Sequence, residues 1–359
     1  MSSINFKPAT TLREPTELVA QGLVPVADLP DLEKVAARYA VAVTPDMAAL
    51  IDPDDPDDPI ARQFIPRAEE LLTQPGENAD PIGDHTHSPV SGIVHRYPDR
   101  VLFKLVHVCA VYCRFCFRRE MVGPGKASAL SQGAYDNALA YIRAHTEIWE
   151  VILTGGDPLM LSPRRLAEIM ADLAAVDHVK IIRIHTKVPV AEPSRISEAM
   201  IAALKVEGAT TWVALHANHP RELTAKARAA CAGMIDAGIP LVSQSVLLRG
   251  VNDNAATLEA LMRTFIECRI KPYYLHHGDL APGTAHLRTT LEQGQELMRN
   301  LRGRVSGLCQ PEYVLDIPGG HGKAPVGPGY LSQEREPGQE TRYRIADYCG
   351  DVHLYPPEA

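Results

Sequence analysis

The chain has 359 residues, 45% of them hydrophobic, enough to bury the core of one large domain rather than several small ones. Its formal net charge is -8 with no basic block, which argues against nucleic acid as a partner. No run approaches the ~20 apolar residues that span a bilayer, and residues 1–7 lack the apolar core of a signal peptide. Seven cysteines, three clustered and four scattered, fit a reducing cytoplasm better than a disulfide framework.

Residues 10–75 read as helical. Apolar spacing predicts helices over 31–39 and 60–72. Between them, 52–59 is an Asp/Pro run in which prolines stop one helix and aspartates cap the next. Residues 75–95, rich in Pro, Gly, Asp and His, read as a loop. From residue 100 the pattern changes. Strands are predicted at 101–106, 150–153, 180–184, 211–215, 241–247 and 271–275. Helices are predicted at 132–145, 163–176, 193–207, 220–237 and 255–268. Six β/α units in sequence imply a parallel sheet, with chemistry at the carboxyl ends of its strands. The polar candidates obey that rule. The clustered cysteines follow the first strand and Gly155-Gly156-Asp157-Pro158 the second. His216 and Asn218 follow the fourth, Gln244 lies late in the fifth, and His276, His277 and Asp279 follow the sixth.

Cys109, Cys113 and Cys116 form Cys-x3-Cys-x2-Cys. Three thiolates this close can hold three irons of a 4Fe–4S cluster and leave the fourth iron without a protein ligand. A cluster used only for electron transfer is normally closed by four cysteines. Structural zinc wants four nitrogen or sulfur ligands. No second cysteine pair exists here, and His107 lies within a strand pattern. The Gly-Gly-Asp-Pro turn is ordinary by itself. Two glycines nevertheless let backbone approach a ligand, and peptide carbonyls can accept from an ammonium. Lys323 ends the run Asp316-Ile-Pro-Gly-Gly-His-Gly-Lys323. A phosphate-binding P-loop would need glycine at Ile317 and a hydroxyl at Ala324, so the run alone reads as a surface loop with a solvated lysine.

The cysteine spacing, Tyr112 and Phe115 within it, and its place after the first strand resemble the radical S-adenosylmethionine (SAM) enzymes. Further motifs narrow the likeness. They are His95-Arg-Tyr-Pro-Asp-Arg100, Phe117-Arg118-Arg119, Trp212 with His216-x-Asn-His-Pro220, Gln244 to Asp253, Pro272-Tyr-Tyr with Gly278-Asp-Leu280, and the Asp316 to Lys323 run. Together they resemble the lysine 2,3-aminomutase family over about residues 40–330. The resemblance implies an α/β fold: a partial (β/α)6 TIM-type barrel at 95–290, after an N-terminal helical segment and linker at 1–94. A C-terminal segment at 291–359 would carry a pyridoxal phosphate (PLP) loop. It implies an isomerase that turns L-lysine into β-lysine by moving the amino group from C2 to C3, using a 4Fe–4S cluster, SAM and PLP. Cys109, Cys113 and Cys116 would hold the cluster. Gly155, Gly156, Asp157, His216 and Gln244 would contact SAM. Lys323 would carry PLP, with Arg96 and Arg100 on its phosphate. Arg118 would pair the substrate α-carboxylate, and Asp279 and Asp316 its distal ammonium, an arrangement that would repel glutamate.

A flavodoxin or ferredoxin would supply the electron, and a homo-oligomer is expected. Asn254 stands where longer relatives have a zinc-binding cysteine, and only Cys349 follows Tyr330, so their structural zinc is not expected. Three alternatives stay open at this level: an aminomutase for another amino acid, a supplier of β-lysine for elongation factor P, and an iron–sulfur electron carrier.

Overall fold

The computed structural model describes residues 10–122, 128–334 and 342–356; the stretch 1–7, read above for a signal peptide, lies outside them. Nine strands form one sheet in chain order: β1 (Ile93–Tyr97), β2 (Arg100–Val106), β3 (Glu150–Gly155), β4 (Ile181–Thr186), β5 (Thr210–His216), β6 (Leu241–Val246), β7 (Ile270–His276), β8 (Glu312–Ile317) and β9 (Gly322–Pro325). Strands β2 to β8 are parallel, while β1 and β9 are antiparallel at the two edges. The six expected β/α strands are β2 to β7. Strand β8 is a seventh parallel strand that the pattern missed, because Asp316 and Pro318 interrupt its apolar run. A separate antiparallel sheet of β10 (Leu331–Glu334), β11 (Arg342–Ala346) and β12 (Val352–Tyr355) follows.

Side-chain caps start the outer helices. Ser131, Ser162, Thr224 and Asn254 each accept the backbone N–H three residues on, satisfying a donor the helix cannot. Two predicted helices are shorter than expected. The 193–207 stretch opens with a 3-10 turn, Pro193–Arg195, and becomes a helix only at Glu198–Ala203. The 220–237 stretch likewise opens with Pro220–Glu222 before the helix Ala225–Asp236. Proline starts a turn readily, but Ser197 and Thr224 then recap the chain with extended backbone. The expected 60–72 helix is Ala61–Phe64 and a 3-10 turn, Ala68–Leu71, parted by Pro66.

Alternation within the strands decides what enters the barrel. In β4, Ile182 and Ile184 are buried in the apolar layer under the helices, while Arg183 and His185 line the interior cavity. The two edges of the sheet meet through a side chain: the backbone N–H of Lys323 on β9 donates to Tyr97 Oη on β1 at 2.7 Å.

The N-terminal segment secures the cysteine loop. Tyr112 N–H donates to the Ala42 carbonyl and Arg114 N–H to the Gln63 carbonyl. Glu70, fully buried, receives Arg114 Nε at 2.9 Å and also pairs with Arg119. Arg114 in turn donates to the Ala40 carbonyl at 2.7 Å. Removing Glu70 would strand two buried guanidiniums, so E70A is expected to lower unfolding free energy by about 3–5 kcal/mol and to reduce iron uptake on anaerobic reconstitution. Urea unfolding and iron analysis check this; a parental midpoint would show that the loop is held elsewhere.

Candidate functional site

The interior of the barrel is one cavity of about 720 Å³, within the usual ~300–1,000 Å³ range of ligand sites. All fourteen site residues named from the sequence line it: Arg96, Arg100, Cys109, Cys113, Cys116, Arg118, Gly155, Gly156, Asp157, His216, Gln244, Asp279, Asp316 and Lys323.

The three cysteines occupy the loop after β2. Burial pushes their thiols up, Cys113 to about 12 and Cys109 and Cys116 above their ordinary value. Such thiols stay protonated unless a bound metal takes their protons' place. Among the described residues no fourth cysteine lines the cavity, so the donor set fits a cluster with one open iron. The neighbouring glycines are also demanded by packing. A Cβ at Gly155, which sits at φ +112°, would stand 2.4 Å from the Val106 carbonyl, and one at Gly156 2.3 Å from the Val108 carbonyl. Both glycines are therefore required by the close passage of the cysteine loop. Asp157 is also structurally engaged. Its carboxylate accepts from Thr186 Oγ1 at 2.7 Å, the Lys187 N–H at 2.7 Å and the Leu159 N–H at 3.0 Å. It ties the end of β3 to the end of β4.

Charged groups gather elsewhere in the cavity. Asp316 on β8 and Lys323 on β9 are direct cross-strand neighbours, and Lys323 Nζ lies 2.7 Å from Asp316 Oδ1. The glycine run read as a loop is the turn of this hairpin. His276 Nδ1 approaches the other Asp316 oxygen at 3.4 Å, and Arg96 comes within 3.9 Å. Burial alone would push the Asp316 carboxyl up. The His276 and Lys323 contacts outweigh it and hold the group well below the usual carboxylate range. Asp279 contrasts with it. Its carboxylate has no hydrogen-bond or ion-pair partner among the described residues, and burial, reinforced by the nearby Asp316 charge, raises it to about 7. Arg118 is held by Asp84 at 2.8 Å. The Arg100 guanidinium lies over the Tyr97 ring, 4.0 Å from its centroid.

Two residues escaped the sequence reading. His185, beside His216 with ring centroids 5.6 Å apart, faces the cavity from β4. The predicted strand stopped one residue short of it, although alternating Arg183 and His185 already signalled an inward polar face. Each ring has a buried Nε2 without a partner. Burial pulls His216 down to about 3 and His185 well below its ordinary value, so both are neutral and ready for a ligand hydrogen bond. The other missed residue, Asp84, sits in the 75–95 loop, where no periodicity or spacing marks it.

Residues 103–261 match the family described as the radical SAM superfamily. The chain is 43% identical over 291 residues to the L-lysine 2,3-aminomutase of Clostridium subterminale, spanning 81% of this chain and 70% of that protein. It is 40% identical over 291 residues to the L-lysine 2,3-aminomutase of Acetoanaerobium sticklandii, with the same two shares. It is also 36% identical over 300 residues to the glutamate 2,3-aminomutase of Clostridioides difficile, spanning 84% and 70%.

Asp279 yields a pH-dependent test. A carboxyl raised to about 7 in the fold, against ~3.9 in an unfolded chain, binds its proton more tightly when folded. It therefore costs stability increasingly as pH rises from about 4 to 7. Ligand-free D279N is expected to gain over the parent across that window, by about 4 kcal/mol at its top, and to gain nothing from this source below it. Melting curves at pH 4.5 and 7.5 decide the point; the same difference at both pH values would contradict it.

Proposed function

The chain belongs to the lysine 2,3-aminomutase family of radical SAM enzymes, and we propose that its substrate is L-lysine and its product β-lysine. It is an isomerase, and its cofactors are a 4Fe–4S cluster, SAM and PLP. The observation that carries lysine over glutamate is the acid pair Asp279 and Asp316, with the Asp279 carboxylate unpartnered inside the cavity. A buried carboxylate without a cation is costly. A distal ammonium placed there removes that cost, whereas a distal carboxylate adds to it.

The residues present fit the three groups. Cys109, Cys113 and Cys116 would hold three irons. The unpartnered Nε2 of His216, together with Gln244 and the backbone at Gly156, would meet SAM, and Asp157 would keep that wall in place. Lys323 would carry PLP, and Arg96 and Arg100 would take its phosphate with paired donors. When bound, the cluster and SAM supply a radical that takes hydrogen from the substrate, and PLP supplies the π system that lets nitrogen migrate.

The protein's own part is binding, orientation and exclusion of water. Arg118 is set to receive the α-carboxylate and Asp279 with Asp316 the distal ammonium, so the substrate is fixed at both ends. Asp316 has two partners in turn. It pairs with the Lys323 ammonium at 2.7 Å, and with Lys323 carrying the coenzyme it would turn to the substrate ammonium instead. Arrival of the ammonium also favours ionised Asp279, so lysine should bind less well as pH falls below about 7.

The electron would come from a flavodoxin or ferredoxin. The exposed Leu331, Val352 and Tyr355 of the C-terminal sheet support a homo-oligomer. No helix among the described residues is long and apolar enough to cross a membrane. All the described cysteines are free, which supports a reducing cytoplasm.

Reduced, reconstituted protein with SAM and PLP is expected to convert L-lysine and leave L-glutamate unchanged. D279N and D316N are each expected to raise KM for lysine roughly a hundredfold. Turnover of glutamate without lysine would overturn the substrate. K323A is expected to lose the visible absorbance of lysine-bound coenzyme, and a retained band would remove Lys323 from its role.

A further inference from the structure

We propose that Asp84 is a positioning residue of this site, one carboxylate that orients both the guanidinium for the substrate carboxylate and a guanidinium for the coenzyme phosphate. The proposal rests on the reading of the pocket given above. Asp84 Oδ2 accepts from Arg118 Nε at 3.2 Å and from a terminal nitrogen of the same guanidinium at 2.8 Å. Its Oδ1 accepts from Arg96 at 3.1 Å. Arg118 comes from the cysteine loop and Arg96 from β1, so one side chain joins two parts of the cavity that the chain builds separately. Beyond Arg96 follow Asp316 at 3.9 Å and Lys323 at 2.7 Å. The five groups alternate in sign.

The carboxylate is itself fixed. The Asp84 N–H donates to Asp80 Oδ1 at 2.7 Å, and Ser88 Oγ donates to the Asp84 carbonyl at 2.8 Å. Its loop is seated on the hairpin that carries Lys323. A Cβ at Gly83 would stand 2.3 Å from Gly320 N, and His87 Nε2 bonds the Gly320 carbonyl at 2.9 Å. Asp84 side-chain exposure is 3%. Burial pushes its carboxyl up, and Arg118, Lys104 and Arg96 together outweigh burial and hold it below the ordinary range, so the charge is present.

Two physical consequences follow. A guanidinium already oriented by a fixed carboxylate loses little freedom when its ligand arrives. Two guanidiniums in one desolvated cavity also repel unless an anion stands between them. Asparagine would fail on both counts: its oxygen can serve one arginine, but its amide hydrogens would face the other.

The test uses D84N and D84E in the full chain. PLP affinity is read by absorbance titration of coenzyme-free protein. KM and kcat for L-lysine are read on the reconstituted enzyme, with melting curves as a control for folding. D84N is expected to weaken PLP binding and raise KM, each by about tenfold, with a smaller change in kcat. D84E, which keeps the charge one methylene further out, is expected to fall between D84N and the parent. Parental values for both ligands in folded D84N overturn the proposal, and a change at one ligand alone overturns the coupling. If D84N does not fold, D84E decides, and parental affinities there overturn it. Failure of the functional reading shows separately, as a parent protein that binds no PLP and turns over no lysine.

Discussion

No backbone ladder joins the sheet's two edge strands among the described residues; side chains close the barrel instead. Tyr97 on β1 takes the Lys323 N–H on β9, and Arg96 on β1 reaches Asp316 on β8. The 80–88 loop seats itself against the hairpin turn with backbone nearly touching backbone. Tyr97, Lys323, Arg96 and Asp316, which make this seam, also stand at the cavity wall. The constraint that closes the fold is therefore the one that builds half the site. A ladder would have fixed the edges with backbone bonds and left no reason for charge to collect there.

Desolvation sets the rest. Five linked charges alternate here, four on the cavity wall and Asp84 behind the two arginines, and each is stabilised by a neighbour of opposite sign. Asp279 stands outside that chain, with no hydrogen-bond or ion-pair partner for its carboxylate among the described residues. Around the cysteines the opposite holds: neutral histidines and thiols raised by burial make a region that welcomes metal and hydrogen-bonding ligands rather than a free anion. In the proposed reading, a molecule with a carboxylate near one end and an ammonium at the other would meet Arg118 and the acid pair together. The buried Glu70 cluster holds the cysteine loop through Arg114 and Arg119.

The sequence carried much of this. Six strands were legible because apolar β-runs alternate with helical spacing, and the cysteine triad was legible from spacing alone. Other features needed three dimensions. The hairpin of β8 and β9 was hidden because Asp316, Pro318 and the glycines look like a loop, and only pairing shows Asp316 opposite Lys323. The glycines after β3 looked like a ligand platform, and their spacing could not show that the cysteine loop presses on them. Asp84 carries no local signal, and His185 carries only its alternation with Arg183 on β4. Their importance comes from partners far away in the chain, which periodicity does not encode.

The central claim is that this cavity sets a lysine substrate within reach of a radical generated at a three-cysteine cluster. The most direct measurement is freeze-quench electron paramagnetic resonance of the reduced, reconstituted protein mixed with SAM and carbon-13-labelled L-lysine. An organic radical whose hyperfine structure changes with the label on lysine is expected. A cluster signal indifferent to SAM, or a radical that forms with glutamate and not with lysine, would contradict the account.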